Sequence, residues 1–213
     1  MMNFAVIFAG GTGQRMNTRT MPKQFLELHG KPIIIYTLEV FERTDDIDGI
    51  IVVCLSDWVP YCKNLIEKYG LKKVIDVVNG GKTGQESIYN GLVKASSVCK
   101  EGIVLIHDGV RPLIDEETIQ KCLKSVTEHG SGITVCPATE TITQQDSDKR
   151  ISTIIDRKSC YIAKAPQGFY LKDILEAHDK AISDGKYDFI DSASMMRYYG
   201  SDLYTVEGKP ENI

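Results

Sequence analysis

Arg15 and Lys23 stand just beyond the first apolar run of this chain, with Ala9-Gly10-Gly11-Thr12-Gly13 directly ahead of them and Pro22 beside the second. Glycines let backbone N–H groups approach an anion with no Cβ in the way. Fixed positive charge next to such a loop suits a polyphosphate whose negative charge grows as a bond breaks. The first 25 residues therefore point to nucleotide chemistry.

Further along, Asp108 follows Ile103-Val-Leu-Ile106 and His107. A carboxylate that ends a buried strand beside a phosphate loop suits Mg2+, which takes one or two carboxylates plus substrate phosphates. A turn cap is the plainer use of the same residue. Arg111, followed by Pro112, carries the planar fork that grips a second phosphate, with a surface ion pair as its alternative. Ser87 falls near the start of the helix after Gly80-Gly81, where free N–H groups favour anions and a hydroxyl can reach a base or ribose; simple capping is the alternative. His107 reads as a buried, hydrogen-bonded partner, Arg157 as a solvated charge, and Asp191 as the N-cap of a following helix.

Spacing rules out several designs. A dinucleotide fingerprint wants a third glycine where Met16 stands, and an acid at the end of the second strand about 20 residues on, yet that strand ends near Leu55. Gly81-Lys82-Thr83 supplies the last letters of a Walker loop, but the required earlier glycine falls at Asp76. Gly-x-Ser-x-Gly is absent, and the four histidines show no metal spacing. What remains is a nucleotidyltransferase-style loop, Gly-Gly-x-Gly-x-Arg with Pro-Lys downstream.

These residues need a scaffold. Apolar runs at 3–9, 49–55, 73–78, 102–107 and 132–137 alternate with helical periodicity at 33–41, 58–69, 85–96 and 116–128. The alternation predicts an α/β fold with right-handed crossovers and a mostly parallel sheet. Ligands in such folds bind at the carboxyl ends of strands, where the glycine turns and His107-Asp108 should converge. The segment 139–165 breaks the pattern: β-branched stretches at Thr141–Thr143 and Arg150–Ile155 flank a polar tip and predict a two-stranded arm. An isolated hairpin is marginal in water, so a second subunit is its natural partner. Helices near 171–183 and 192–199 and a short strand at 203–206 complete the chain.

The 213 residues fit one domain, 42% hydrophobic and 25% charged, with a formal charge of −4 that argues against general nucleic-acid binding. No stretch is apolar enough for a membrane helix, and no signal pattern opens the chain. Six dispersed cysteines without a C-x-x-C pair argue for free thiols and a cytoplasmic location.

Ala9-Gly-Gly-Thr-Gly-Gln-Arg-Met16, Pro22-Lys-Gln-Phe25, Gly80-Gly81 with Ser87, His107-Asp-Gly-Val-Arg-Pro112, Ala165-Pro-Gln-Gly-Phe169 and Val206-Glu-Gly with Glu211-Asn-Ile213 come in the order seen in polyol-phosphate cytidylyltransferases, which the whole chain resembles. The resemblance implies a Rossmann-like nucleotidyltransferase fold in a single domain, with helices on both sheet faces and a β-arm that pairs two subunits. It also implies a CTP site built from Ala9, Gly10, Gly11, Thr12, Gly13, Arg15, Lys23, Gly81 and Ser87. Asp108 would sit beside Mg2+ and the triphosphate. Arg15 and Lys23 would stabilise the α-phosphorus under attack, and Arg111, Thr141 and a neighbouring subunit's Arg157 would meet the acceptor phosphate.

The family includes enzymes for D-ribitol 5-phosphate, which belong to teichoic acid or capsule synthesis, and for 2-C-methyl-D-erythritol 4-phosphate, in isoprenoid synthesis. Ala-Gly-Gly in the loop, Pro22-Lys-Gln-Phe-Leu-Glu-Leu28 and His-Asp-Gly-Val-Arg-Pro look more like the ribitol group. A UTP- or GTP-dependent sugar-phosphate enzyme would share the glycine loop alone. A non-catalytic nucleotide-binding module is the remaining alternative. Two departures stand out. Ala165 replaces the family's usual threonine, and the sequence stops at Ile213, short of the usual C-terminal lysine and last helix.

Overall fold

The computed structural model describes residues 1–10 and 21–212. Strand β1 (Met2–Ala9) leads, past a small hairpin of β2 (Glu27–Leu28) and β3 (Lys31–Pro32), into helix α1 (Ile33–Arg43). Then come β4 (Gly49–Cys54), α2 (Val59–Lys68), β5 (Val74–Asn79), α3 (Gly84–Val98), β6 (Gly102–Asp108), α4 (Glu116–His129) and β7 (Ser131–Pro137). A separate hairpin of β8 (Thr143–Gln145) and β9 (Ile151–Ile154) follows. The chain closes with β10 (Tyr161–Tyr170), α5 (Leu171–Ser183), α6 (Ser192–Tyr198) and β11 (Thr205–Glu207).

The central sheet has the order β11-β7-β10-β6-β1-β4-β5, and only β10 runs against the rest. Successive side chains of a strand point to opposite faces, so β1 feeds two cores. Ala5, Ile7 and Ala9 pack with Ile34, Leu38 and Phe41 of α1 and with Ile119 and Val126 of α4. Phe4 and Val6 pack with Leu92 of α3, Ile174 of α5 and Met195 of α6. Gly91 lets α3 approach closely: a Cβ there would come within 2.6 Å of Val6 and 2.7 Å of Val53. The predicted layering, helices on both faces of a mostly parallel sheet, is what the chain forms.

From β1 the chain moves outward to β4 and β5, then crosses back through α3 to β6 on the other side of β1. This reversal makes the β1–β6 boundary a topological switch point, where the loops leave in opposite directions and open a crevice. Phe8 of β1 lies opposite Asp108 of β6 there.

One strand departs from the sequence reading. Residues 161–165 do not belong to the arm; they begin β10, which lies antiparallel between β6 and β7. Pro166 and Gly168 hid it, because a proline cannot donate to the ladder and normally marks a strand edge. The sheet absorbs Pro166 through a register shift between Ala163 and Gln167. The arm itself is β8 and β9, shorter than the expected 139–165, with every residue of both strands exposed.

Candidate active site

A cleft of about 520 Å³ opens at the carboxyl edge beside the switch point. Its walls come from the end of β6 (His107, Asp108, Arg111), the start of β10 (Lys164, Ala165), the first turn of α3 and the loop between α5 and α6. Three strand ends that carry chemistry in the sequence thus meet at one edge.

Lys23 is fixed by its neighbours. Pro22 accepts a hydrogen bond from Phe25 N at 3.0 Å, closing a 3-10 turn at Lys23–Phe25. Phe25 is fully buried and stacks on Trp58 at a centroid distance of 5.2 Å. The buried Gln24 donates from Nε2 to Ala9 O at 2.6 Å, which ties the turn to the last residue of β1. Lys23 therefore sits half-buried directly ahead of two anchored residues, Gln24 and Phe25. Gly11, Thr12, Gly13 and Arg15 lie outside the described residues.

The second glycine turn is braced by Ser87, which is 3% exposed. Its Oγ accepts from Gly81 N at 2.9 Å and donates to Thr83 O at 2.8 Å. Gly80 N donates to Cys54 O at 2.7 Å, so the turn is also tied to β4. Thr83 caps α3 by accepting from Glu86 N at 3.1 Å. The hydroxyl of Ser87 thus organises the helix start and the glycine turn ahead of it.

At the end of β6, Arg111 Nε donates to Asp108 Oδ2. Arg111 Nη1 also reaches Asn212 O at 3.3 Å. Asp108 and Arg111, read separately in the sequence as a metal carboxylate and a phosphate fork, thus form an ion pair in the cleft wall. His107 is 1% exposed, and its Nε2 lies 3.1 Å from Arg111 O. Burial pushes its pKa down to about 4, so the ring is neutral near pH 7 and an Nε2–H donates to that carbonyl. It packs on Phe41 at 5.3 Å and acts as the expected buried partner that sets the Arg111 turn.

Thr141 and Arg157 do not line this cleft. Both are exposed at the base of the arm, where Arg157 Nη1 donates to Thr139 O at 2.9 Å. Asp191 caps α6 as expected, accepting from Ser194 N at 2.7 Å.

Lys164 and Gln85 carried no motif in the sequence, and Gln167 appeared there only within Ala165-Pro-Gln-Gly-Phe169, with no role of its own. Lys164 adds a half-buried cation opposite the Asp108–Arg111 pair. Gln85 and Gln167 are buried at its floor. A glutamine announces nothing by spacing; only the fold shows what it touches.

No group of three or more acidic, histidine or cysteine side chains that could hold a metal occurs among the described residues. The donor set nonetheless fits Mg2+ bound chiefly through substrate phosphates, since Asp108 keeps Oδ1 free of protein hydrogen bonds among the described residues. Among the described residues no helix is long and apolar enough to cross a membrane.

A doubly wound α/β sheet with a glycine turn, a fixed lysine and an acid–arginine pair at its switch point defines a nucleotidyltransferase. Residues 3–213 match the family described as IspD, 2-C-methyl-D-erythritol 4-phosphate cytidylyltransferase, and the chain belongs to that family of cytidylyltransferases. It is 52% identical to ribitol-5-phosphate cytidylyltransferase of Streptococcus agalactiae serotype V, covering 100% of this chain and 89% of the relative. To 2-C-methyl-D-erythritol 4-phosphate cytidylyltransferase of Clostridium botulinum strain 657 it is 35% identical, over 99% of this chain and 90% of that one. Among solved structures, 4-diphosphocytidyl-2C-methyl-D-erythritol synthase from Anaerococcus prevotii superposes with a TM-score of 0.87 at 28% identity, covering 100% of this chain and 89% of that one.

Proposed function

We propose that this chain transfers CMP from CTP to D-ribitol 5-phosphate, giving CDP-ribitol and pyrophosphate, as a cytoplasmic homodimer that uses Mg2+. The observation that carries the reading is the pairing of Asp108 with Arg111 at the switch point, on the sheet edge where the Gly80-Gly81 turn also leaves its strand. The identity of 52% to a ribitol-5-phosphate enzyme supports ribitol 5-phosphate as the acceptor.

Ala9, Gly10, Gly11, Thr12, Gly13, Gly81 and Ser87 hold the cytidine and triphosphate. Arg15 and Lys23 stabilise the charge that builds at the α-phosphorus as an acceptor phosphate oxygen attacks in line and pyrophosphate leaves. The acceptor is already an ionised phosphate monoester near neutral pH, so positioning and fixed charge suffice without a strong general base. Asp108 would hold Mg2+, which would supply charge neutralisation for the triphosphate. Arg111 grips the acceptor phosphate with its planar guanidinium fork.

The arm supports the dimer reading. Ile151 and Ile154 are 62% and 66% exposed, and Tyr161 and Ile162 continue the apolar surface. Covering it with a second copy brings Thr141 and Arg157 of one subunit toward the cleft of the other. A methylerythritol acceptor is the second reading, favoured by the 35% identity to that enzyme. Pyrophosphate release with CTP and each polyol phosphate separates the two; ribitol 5-phosphate is expected to give the higher kcat/KM.

A further inference from the structure

The loop between α5 and α6 forms the outer wall of the cleft, with Tyr187, Asp188, Phe189 and Ile190 lining it. Its side chains are largely exposed, Ile190 at 94%, while Phe189 packs inward against the core and the rings of Tyr198 and Tyr199. Two buried glutamines from other elements hold its backbone. Gln85, in the first turn of α3 and 9% exposed, donates from Nε2 to Lys186 O at 2.9 Å and accepts from Phe189 N at 3.3 Å on Oε1. Gln167, in β10 and 7% exposed, donates from Nε2 to Asp191 Oδ2 at 2.9 Å and accepts from Ala193 N at 2.9 Å. Each side-chain amide thus satisfies one donor and one acceptor on the loop or on the helix start that ends it.

The two anchors come from different sides. Gln85 lies two residues from Ser87, on the helix that braces the Gly80-Gly81 turn. Gln167 lies on the strand that brings Lys164 to the cleft. We infer that Gln85 and Gln167 are positioning residues that clamp the 186–191 loop as a preformed acceptor wall. Resting on the reading of this cleft as the polyol-phosphate site, the clamp sets acceptor affinity and selectivity rather than CTP binding. A wall competent only part of the time weakens apparent affinity in proportion to that fraction, so loosening it raises acceptor KM without touching the donor side.

The test uses Gln85→Leu, which keeps bulk and removes both hydrogen bonds, and Gln85→Glu, which keeps an acceptor for Phe189 N but loses the donor to Lys186 O. Kinetics with CTP, Mg2+ and the polyol phosphate that the wild-type chain turns over should show acceptor KM raised on the order of tenfold for Leu and less for Glu, with CTP KM within about twofold of wild type. Hydrogen exchange should speed up at Phe189 N–H while Lys186 N–H, bonded to Ala181 O at 2.8 Å, keeps its protection. An unmoved acceptor KM in both variants, or equal rises in both KM values, overturns the clamp while leaving the function reading intact. A wild-type chain that turns over no polyol phosphate overturns that reading and the acceptor role of the clamp together.

Discussion

Ser87→Ala probes the donor side with little disturbance elsewhere. The substitution deletes one oxygen that is bonded to Gly81 N and Thr83 O. Thr83 O keeps a partner, because Ser87 N donates to it at 3.0 Å. The Gly80 N bond to Cys54 O survives, so the turn keeps its tie to β4. The net loss is one partner for the half-buried Gly81 N–H, worth about 1–2 kcal/mol. For a domain of this size that lowers Tm by about 2–8 °C. Losing the brace also lets the Gly80-Gly81 turn drift, and a penalty on the order of 1 kcal/mol in donor positioning is about a fivefold rise in CTP KM. Differential scanning fluorimetry and initial rates at varied CTP measure both effects. A variant with wild-type Tm and CTP KM, or one in which only acceptor KM rises, would falsify the assigned place of Ser87 in the donor site.

Asp108→Asn removes the ion pair with Arg111, whose side chains are 37% and 27% exposed, so stability should change by less than about 1 kcal/mol. Turnover should fall on the order of a hundredfold or more, as measured by pyrophosphate release at saturating Mg2+. If the arm joins two subunits as proposed, the wild type should sediment as a dimer and Ile151→Asp with Ile154→Asp as a monomer with lower turnover, while a dimeric double variant refutes the arm's role. Stability should also depend on pH: His107 and His178 have pKa values pushed down to about 4 by burial, so the unfolded chain binds more protons below its ordinary value of 6.5. Stability contributed by keeping them neutral is therefore present above that value and is lost as pH falls toward 4, on the order of 2 kcal/mol each at pH 5. Tm should drop between pH 7 and 5, and His178→Leu should flatten the drop.

Much of this molecule is legible in its sequence because the signals are local. Apolar runs that end in glycine or Asp108 read as buried parallel strands, and Asp191 caps the helix that its position announces. Position at the ends of parallel strands then places the Gly80-Gly81 turn and Asp108 on one edge. β10 was hidden because Pro166 and Gly168 contradict strand propensity, and pairing on both sides with β6 and β7 overrides that propensity. The Asp108–Arg111 pair was legible as two residues and not as a pair, since a three-residue spacing in a turn does not fix side-chain direction. The contacts of Gln85 and Gln167 were not legible for a different reason. Their partners lie at Lys186 and Phe189, and at Asp191 and Ala193, and no local pattern encodes contacts across such separations.

The central claim is a CTP-dependent transfer to ribitol 5-phosphate, and a steady-state panel tests it directly. The panel sets CTP, UTP and GTP with Mg2+ against ribitol 5-phosphate, 2-C-methyl-D-erythritol 4-phosphate and glycerol phosphates, with pyrophosphate release as the readout. The account predicts CDP-ribitol and pyrophosphate in equal amounts from CTP and ribitol 5-phosphate, at the highest kcat/KM of the panel. Preference for UTP or GTP, or a higher kcat/KM with the methylerythritol acceptor, would contradict it.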